Sequence, residues 1–411
     1  MIGAGTTTDV FVACQPILGV RKDVFGYELL FRSSASNKYD ATDGDASTLN
    51  VIANSLVDIG LHELTGGRRG FVNFSRNLLL EDTADLLPPD QVVIEILENV
   101  EPDEEVLARC RHLREAGYLL ALDDFVAARA GSPLLDVADL VKVDFVETTA
   151  GERTTIVADL KRRNIKALAE KVETEGEFLQ AADEGFTYFQ GYFFSKPVIQ
   201  TGKAMTGSKL AHLRLMKQVN EPELSFDDME AIIKQDVSLT YKLLRFINSV
   251  WFALRYKIDS VRHALVWLGR TEIRRWFYLV TLLDMGTDKP TELYRQTMTR
   301  AKMAELLAPS LGLQSEAQRL FLMGMFSTID VLLDVRIEDV LDGLPLDDEV
   351  KAALVGKPGK FRDIHEMIGC YERGDWDAFS DRATRLGLDP AAVPAIYKKA
   401  LKWARQALEV A

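Results

Sequence analysis

The sequence is poor in the residues that build zinc sites and disulfide frameworks. Its 411 residues contain only five histidines and three cysteines. Cys14, Cys110 and Cys370 are far apart, so they show neither the short spacing of a metal motif nor the density of a disulfide-stabilised secreted domain. We therefore predict reduced thiols and a cytoplasmic location.

Long apolar runs are also missing. The longest nearly apolar stretches span about eight residues, as in Trp276–Leu283, whereas a membrane-spanning helix needs about 20. The first ten residues contain neither a basic segment nor an apolar core, so no secretion signal is expected. With 47% hydrophobic and 27% charged residues, the chain has the composition of globular domains, and its length predicts two or three of them.

Positive charge is scarce in the first half of the chain. Residues 1–200 contain 19 Lys and Arg against 33 Asp and Glu, a balance of −14, whereas residues 201–411 have a balance of +1. An N-terminal half of this charge repels nucleic acid and other phosphate ligands unless divalent cations lie between them. The difference indicates two regions of different character.

Short apolar runs alternate with amphipathic segments in residues 1–200. The runs have the composition and length of strands, and most of the segments between them have helical periodicity, as in 46–60, 104–116, 153–163 and 174–184. Alternating strands and helices predict a mainly parallel sheet, and seven or eight repeats in about 200 residues favour a TIM-like (βα) barrel. The predicted strands are Val10–Ile17, Tyr27–Arg32, Gly70–Phe74, Val92–Leu97, Tyr118–Phe125, Leu140–Phe145, Lys166–Val172 and Thr187–Phe194.

Polar residues stand late in most of these runs or just beyond them, and Glu28 stands near the start of its run. Because the carboxyl ends of parallel barrel strands meet at one mouth, seven segments of the chain are expected to bring polar side chains to the same place. Those residues are Glu28, Asn73, Glu95, Asp123, Asp124, Lys142, Asp144, Glu170, Glu173 and Gln190.

The oxygen ligands of this set favour hard cations. Carboxylate and amide oxygens suit Mg²⁺ or Mn²⁺ rather than zinc, and two such ions side by side stabilise an in-line phosphoryl displacement. Lys142 is placed to orient or deprotonate a water molecule, or to offset phosphate charge. The candidate ligands are Glu28, Asn73, Glu95, Asp123, Asp124 and Glu173.

The pattern becomes helical throughout after residue 200. The segment 197–208 loses periodicity, so we place the boundary between an N-terminal domain (1–200) and a C-terminal domain (201–411) there. Ser225–Asp228 (SFDD) has the form of a capping box and predicts a helix start. Helices are expected at 238–249, 261–268, 271–283, 291–307 and 391–410.

A series of short motifs accompanies the predicted strands of residues 1–200. The first is Glu28-Leu29-Leu30-Phe31-Arg32, and it is followed by NFS at 73–75, EILE at 95–98, DDF at 123–125, KVD at 142–144, AEKVET at 169–174 and QGYFFSKP at 190–197. In this order the motifs resemble the EAL domain of bacterial cyclic-di-GMP phosphodiesterases. The first motif keeps the Glu-x-Leu-x-Arg form of the family signature, with Leu in place of Ala.

The resemblance implies a two-metal site that opens one phosphodiester bond of cyclic di-GMP to give linear pGpG. It assigns metal binding to Glu28, Asn73, Glu95, Asp123, Asp124 and Glu173. It assigns substrate binding to Arg32 and Gln15. The catalytic positions are Lys142, Asp144, Glu170, Glu173 and Gln190.

Two departures from the family pattern bear on activity. A glycine- and hydroxyl-rich loop follows the Asp-Asp-Phe motif in the family, whereas residues 126–132 here read VAARAGS, with Arg129 new. The family glycine between Ala-Glu and Val-Glu is Lys171, a cation that is expected to replace a metal ion electrostatically.

Two long segments of residues 201–411 read EAIIKQDVSLTYKLLRFINS at 230–249 and IDSVRHALVWLGRTEIRRW at 258–276. They resemble the HDOD module, a helical relative of HD-type phosphohydrolases. Ser327-Thr328 stands where an active HD enzyme has its His-Asp pair. The module is therefore interpreted as a non-catalytic interaction or sensing domain.

Two functions remain open at this point. One is a metal-dependent phosphodiesterase of low or conditional activity, regulated by the HDOD module through an unknown protein partner. The other is a degenerate barrel that acts as a cyclic-di-GMP receptor or scaffold. A homodimer is possible for either. Nucleic acid is not an expected partner, because the arginines at 262, 270, 274 and 275 are more simply a solvated helix face and the balance of +1 is weak.

Overall fold

The computed structural model describes most of both halves of the chain. The described residues are 11–32, 60–126, 129, 131–196, 213, 215–219, 221, 224–249, 256–286, 289–341, 344 and 346–410. Most of the helix predicted at 46–60, the boundary segment 197–208 and three positions of the altered loop therefore lie outside the described residues.

Eight strands close into a barrel in chain order. The first strand is antiparallel to both of its neighbours, and all other pairs are parallel. The predicted (βα) barrel is confirmed, although its antiparallel first strand was not part of the prediction. The strands are β1 Phe11–Gly19, β2 Val24–Arg32, β3 Arg69–Phe74, β4 Val92–Ile96, β5 Leu119–Leu122, β6 Leu140–Asp144, β7 Lys166–Glu170 and β8 Tyr188–Gln190.

Short helices follow most of the parallel strands. Thr149 and Thr174 each begin a helix with a complete capping box, in which the hydroxyl and a glutamate three residues later satisfy free backbone N–H groups. These side chains mark where each strand-to-helix connection ends. The helices are α1 Leu61–Thr65, α2 Arg76–Leu80, α3 Glu104–Glu115, α4 Ala150–Arg162 and α5 Glu175–Glu184.

A layer of apolar side chains fills the barrel interior below its mouth. The layer consists of one side chain from each of six strands, so it closes the barrel to water. Because side chains alternate in direction along a strand, the residue two positions toward the mouth points inward as well. The layer residues are Ile17, Phe71, Val93, Ala121, Leu140 and Leu168.

Gly191 sets the position of the last strand. Its φ is +145°, and an added Cβ would lie 2.0 Å from the carbonyl oxygen of Val172. Only glycine allows the two backbones to approach this closely. The close approach holds Gln190 beside the neighbouring strand.

The described part of the C-terminal half is helical. Ser225 accepts a hydrogen bond from the N–H of Asp228, as the SFDD motif predicts. The two helices predicted at 261–268 and 271–283 are separated by a kink at Gly269, whose φ of +74° and ψ of 168° are not helical, within the element Val261–Met285. The helices are α6 Phe226–Lys234, α7 Val237–Ile247, α8 Val261–Met285, α9 Thr291–Leu307, α10 Ala317–Phe326, α11 Ile329–Leu333, α12 Glu338–Leu341, α13 Asp348–Leu354, α14 Lys360–Glu372, α15 Trp376–Arg385 and α16 Val393–Val410.

The chain forms two compact units. The barrel unit contains residues 1–196 and 366–398, and the helical unit contains residues 197–365 and 399–411. The domain boundary at residue 200 remains a prediction, and the units show in addition that residues 366–398 pack with the barrel. Among the described residues, no helix is both long enough and apolar enough to cross a membrane.

Candidate functional site

The candidate site lies directly above the apolar layer of the barrel. Six of its residues, in the strands or directly after one, stand two positions from a layer residue, so they point to the same interior face. In β4, for example, Val93 belongs to the layer and Glu95 to the site. The residues placed in this way are Gln15, Asn73, Glu95, Asp123, Lys142 and Glu170, and Glu28 and Gln190 join them through hydrogen bonds.

Lys142 is the centre of the site. Its side chain is only 1% exposed. The ammonium nitrogen lies 2.7 Å from Glu170 Oε1, 3.0 Å from Asp123 Oδ1 and 3.4 Å from Glu28 Oε2, and it also pairs with Glu95 Oε1. Four carboxylates from four segments of the chain therefore converge on one cation. We refer to these five residues as the mouth cluster.

The mouth cluster shifts the pKa of its members. Burial alone lowers the pKa of Lys142, but the four carboxylates outweigh it and raise that pKa well above its ordinary value. Burial raises the pKa of Glu95 well above its ordinary value, although the Lys142 ammonium opposes the shift. The ammonium therefore stays charged, and the site holds more acidic groups than one cation neutralises.

Glu28 receives hydrogen bonds from two amides. Asn73 Nδ2 donates to Glu28 Oε1 at 3.3 Å, and Gln190 Nε2 donates to Glu28 Oε2 at 2.6 Å. Gln190 Nε2 also donates to Gln15 Oε1 at 3.1 Å. Gln15 and Glu28 face each other in the β1–β2 pair. The amides therefore fix the orientation of the carboxylate and connect it to Gln15.

Three buried oxygens of the site have no hydrogen-bond partner. They are Asn73 Oδ1, Glu95 Oε2 and Gln190 Oε1. A buried oxygen without a donor is costly, and such atoms are rare in folded proteins unless they bind water or an ion. Together with the uncompensated carboxylates, these oxygens fit a divalent cation that prefers oxygen ligands.

A second group of carboxylates adjoins the mouth cluster. Ligand atoms of Glu98, Asp123 and Asp124 all lie within 4.8 Å of one another, the only such group found among the described residues. Asp124 has a φ of +43°, a left-handed conformation that aspartate adopts more readily than most residues. In the altered loop, the Arg129 guanidinium donates to the Glu98 carbonyl and ties the loop to this group. Glu98 is not among the candidate ligands of the sequence analysis, and it lies past the end of β4.

Asp144 and Lys171 form an ion pair at the edge of the site. Burial alone raises the pKa of Asp144, but Lys171 and the backbone N–H groups of Glu147 and Val146 hold it below its usual range. Lys171 has a φ of +56°, where an L-residue is strained and glycine is not. The geometry explains why glycine suits this position.

Glu173 and Arg32 lie outside the mouth cluster. Glu173 is exposed and pairs with Lys196 at 2.8 Å, so its proposed ligand role stays a prediction. Arg32, at the end of β2, pairs with Asp377 at 2.9 Å. Asp377 carries no sequence signal for a role at the site, because it lies in the C-terminal region.

The helical unit shows no metal cluster among its described residues. Where an HD enzyme would have its His-Asp pair, Ser327 Oγ donates to the Gly324 carbonyl at 2.8 Å. The hydroxyl of Thr328 lies 2.6 Å from that of Thr297. These hydroxyls serve internal packing.

Glu170 should give the metal-free protein a distinctive pH dependence. Burial raises its pKa to about 7, against the opposing effect of Lys142, whereas an unfolded glutamate titrates near about 4.3. Between these values the folded state binds the proton more tightly, so this group should lower the free energy of unfolding as pH rises from about 4.3 to about 7. Urea unfolding in chelator should show that component in the wild type and not in Glu170→Gln. Identical pH slopes would contradict the assignment.

Known proteins resemble both units of this chain. The EAL domain family matches residues 47–197 and the HDOD domain family matches residues 210–341, so the segment with Gln15, Glu28 and Arg32 and residues 342–411 lie outside both matches. The uncharacterized protein YuxH of Bacillus subtilis is 37% identical over 97% of this chain and 99% of its own. The cyclic di-GMP phosphodiesterase CdgJ of Vibrio cholerae is 35% identical over 97% of this chain and 93% of its own.

The solved structures that resemble the chain cover about half of it. The calcium and cyclic-di-GMP complex of BlrP1 from Klebsiella pneumoniae covers 48% of this chain and 58% of its own, with 26% identity and a TM-score of 0.38. The two full-length relatives therefore carry the comparison.

Proposed function

The chain belongs to the family of proteins that join an EAL domain to an HDOD domain, and from that premise we propose that it hydrolyses cyclic di-GMP to linear pGpG. The full-length similarity to CdgJ supports the substrate and the reaction. The observation that carries the proposal is the mouth cluster, in which four carboxylates surround Lys142 while three nearby oxygens have no partner.

The residues of the mouth fit divalent metal ions. Glu28, Asn73, Glu95 and Asp123 would hold one ion, and Asp123, Asp124 and Glu98 would adjoin a second. Glu173 is the further ligand that the family resemblance implies. When bound, Mg²⁺ or Mn²⁺ supplies charge stabilisation at the phosphate and lowers the pKa of a water molecule.

Lys142, Glu170 and Asp144 have separate tasks in this proposal. Lys142 holds a fixed positive charge between the carboxylates and stabilises negative charge on the phosphate. Glu170, with a pKa of about 7, suits the transfer of a proton from an attacking water near neutral pH. Asp144 and Gln190 are proposed to orient that water.

Arg32 and Gln15 are the proposed substrate contacts. The planar guanidinium of Arg32 matches a phosphate group, with which it forms paired charged hydrogen bonds. Gln15 is already connected to Glu28 through Gln190. Arg32 lies four residues after Glu28 on the same strand, so a dinucleotide that contacts Arg32 and Gln15 is proposed to extend to the carboxylates.

The direct test is product formation by the purified full-length protein. Incubation of cyclic di-GMP with the protein and Mg²⁺ or Mn²⁺ should release pGpG, and chelation should stop the release. No pGpG at high protein concentration with either metal would overturn the enzymatic proposal.

A cyclic-di-GMP receptor without turnover is the second candidate. The ion pair between Lys171 and Asp144 favours it, because that contact occupies a carboxylate assigned to catalysis. Calorimetry with Ca²⁺, a hard cation that also prefers oxygen ligands, separates the two candidates. A receptor would bind the dinucleotide and yield no pGpG with Mg²⁺ or Mn²⁺.

Lys171→Gly should raise the affinity for Mn²⁺. The change removes a cation that interacts electrostatically with Asp144 and Asp124. It also places glycine at a φ of +56°, which glycine adopts without strain. Lys22→Gly is a matched control, because Lys22 has a φ of +59° and pairs with Glu175 instead. Titration calorimetry should show tighter Mn²⁺ binding for Lys171→Gly alone. An unchanged or weaker affinity would show that Lys171 does not oppose the metal.

The helical unit is proposed to regulate the barrel through a protein partner, and a homodimer is part of the same proposal. The arginines considered for nucleic acid are engaged within the unit: Arg270 donates to the Leu224 carbonyl and Arg262 pairs with Asp227. A reducing cytoplasm remains the proposed location, and all three cysteines are buried thiols.

A further inference from the structure

Residues 366–398 pack against the mouth side of the barrel unit, although they lie about 170 residues beyond the last strand. Phe11, at the start of β1, contacts the rings of Trp376 and Phe379, with centroids 5.8 and 6.0 Å away. The buried Tyr371 contacts the same two rings at 5.1 Å. These aromatic contacts anchor the segment on the barrel.

The turn between α14 and α15 lies close to β2. Gly374 has a φ of +68°, and an added Cβ would lie 2.5 Å from Leu30 Cδ1. Leu30 stands between Glu28 and Arg32 in the signature segment. The turn therefore approaches that segment more closely than a residue with a side chain would allow.

This turn and the first turn of α15 contact both residues that are proposed to bind the substrate. Gln15 Nε2 donates to the Arg373 carbonyl at 3.0 Å, and Arg32 Nη1 donates to Asp377 Oδ1 at 2.9 Å. The Gln15 side-chain amide is therefore the donor in one contact, and the Asp377 carboxylate accepts from the Arg32 guanidinium in the other. Both partners come from residues 373–377.

We propose that residues 373–377 form an autoinhibitory contact, in which the Asp377 carboxylate holds the Arg32 guanidinium in place of a substrate phosphate. The inference rests on the proposed binding of cyclic di-GMP. A phosphate that approaches Arg32 meets a second anion on the same donor, so binding requires Asp377 to leave.

The ion pair between Asp377 and Arg32 is weak enough to be broken when a ligand binds. The Arg32 side chain is only 15% exposed, but that of Asp377 is 89% exposed, and an ion pair whose carboxylate faces solvent is screened and weak. Asp377 lies in the first turn of α15, where a negative charge is favoured by the helix itself, and Asp375 caps that helix. The helix α15 therefore does not depend on the ion pair between Asp377 and Arg32. A partner that binds residues 373–377 and breaks this ion pair would activate the barrel.

Asp377→Asn is the test variant, and Asp381→Asn is its matched control. Asp381 lies one turn further along α15, is 66% exposed and pairs with Arg385. Both changes remove one carboxylate from the same helix, but only the first removes the contact with Arg32. Asp377→Glu keeps the charge and should retain the inhibition.

The experiment measures cyclic di-GMP binding by calorimetry with Ca²⁺ and steady-state kinetics with Mn²⁺, using full-length proteins. Asp377→Asn should lower both Kd and KM about 3- to 10-fold and leave kcat within about twofold. The loss of one weak ion pair changes a binding constant by about tenfold at most. Asp381→Asn and Asp377→Glu should match the wild type.

Two results would overturn the inference while the proposed function stands. In the first, Asp377→Asn binds cyclic di-GMP no more tightly than the wild type does. In the second, Asp381→Asn binds it as tightly as Asp377→Asn does, which would show a general effect of negative charge. If the wild type and all variants neither bind nor hydrolyse cyclic di-GMP, the proposed function is wrong and the inference is wrong with it.

Discussion

Lys142→Met should lower the free energy of unfolding of the metal-free protein by about 3–5 kcal/mol near pH 8. Lys142 is buried among four carboxylates, and methionine keeps most of its volume while removing its charge. The acidic groups would then face one another in a largely buried site without a neutralising cation. Urea unfolding in chelator measures the loss.

Lys161→Met is the control for that experiment, because Lys161 is exposed on α4. Addition of Mn²⁺ should restore much of the stability of Lys142→Met, since a cation that binds only the folded state stabilises it. A loss below about 1 kcal/mol, or an equal loss for Lys161→Met, would show that Lys142 does not neutralise the cluster.

Glu28→Gln should lower kcat/KM for cyclic di-GMP by more than about 100-fold. Three donors surround the Glu28 carboxylate: the Lys142 ammonium and the amides of Asn73 and Gln190. Glutamine has nearly the same shape, but it removes the charge and turns an NH₂ group toward at least one of these donors. The proposed metal ligand is lost, while the packing is kept.

The thermal shift produced by Mn²⁺ gives a second readout for the same variant. That shift should be much smaller for Glu28→Gln than for the wild type, and Glu115→Gln on α3 should behave as the wild type in both measurements. Activity within about tenfold of the wild type would contradict a ligand role for Glu28.

The strands were predictable because each contains enough apolar residues to fill the barrel. Each of the eight predicted runs overlaps a strand of the structure, with ends that differ by at most three residues except in β8, whose predicted run extends four residues beyond the strand. The direction of β1 was not predictable from its composition. A strand that is buried on both faces has the same apolar pattern in either direction.

The alternation of side chains along a strand predicts part of the site. Asn73, Glu95 and Lys142 stand two positions beyond Phe71, Val93 and Leu140, so the period of two in the sequence already directs them inward. The same rule favours Glu170, two positions after Leu168, over Glu173, which lies past the end of β7. It is silent about Glu98, whose proximity to Asp123 and Asp124 depends on a loop.

The sequence alone was enough to predict a barrel whose polar residues meet at one mouth, because side-chain alternation and strand order are local or topological properties. Only the tertiary structure decided that Lys142 lies within reach of four carboxylates and that Asp377 holds Arg32 from 345 positions away. Contacts of this second kind depend on the path of the folded chain, which no periodicity encodes.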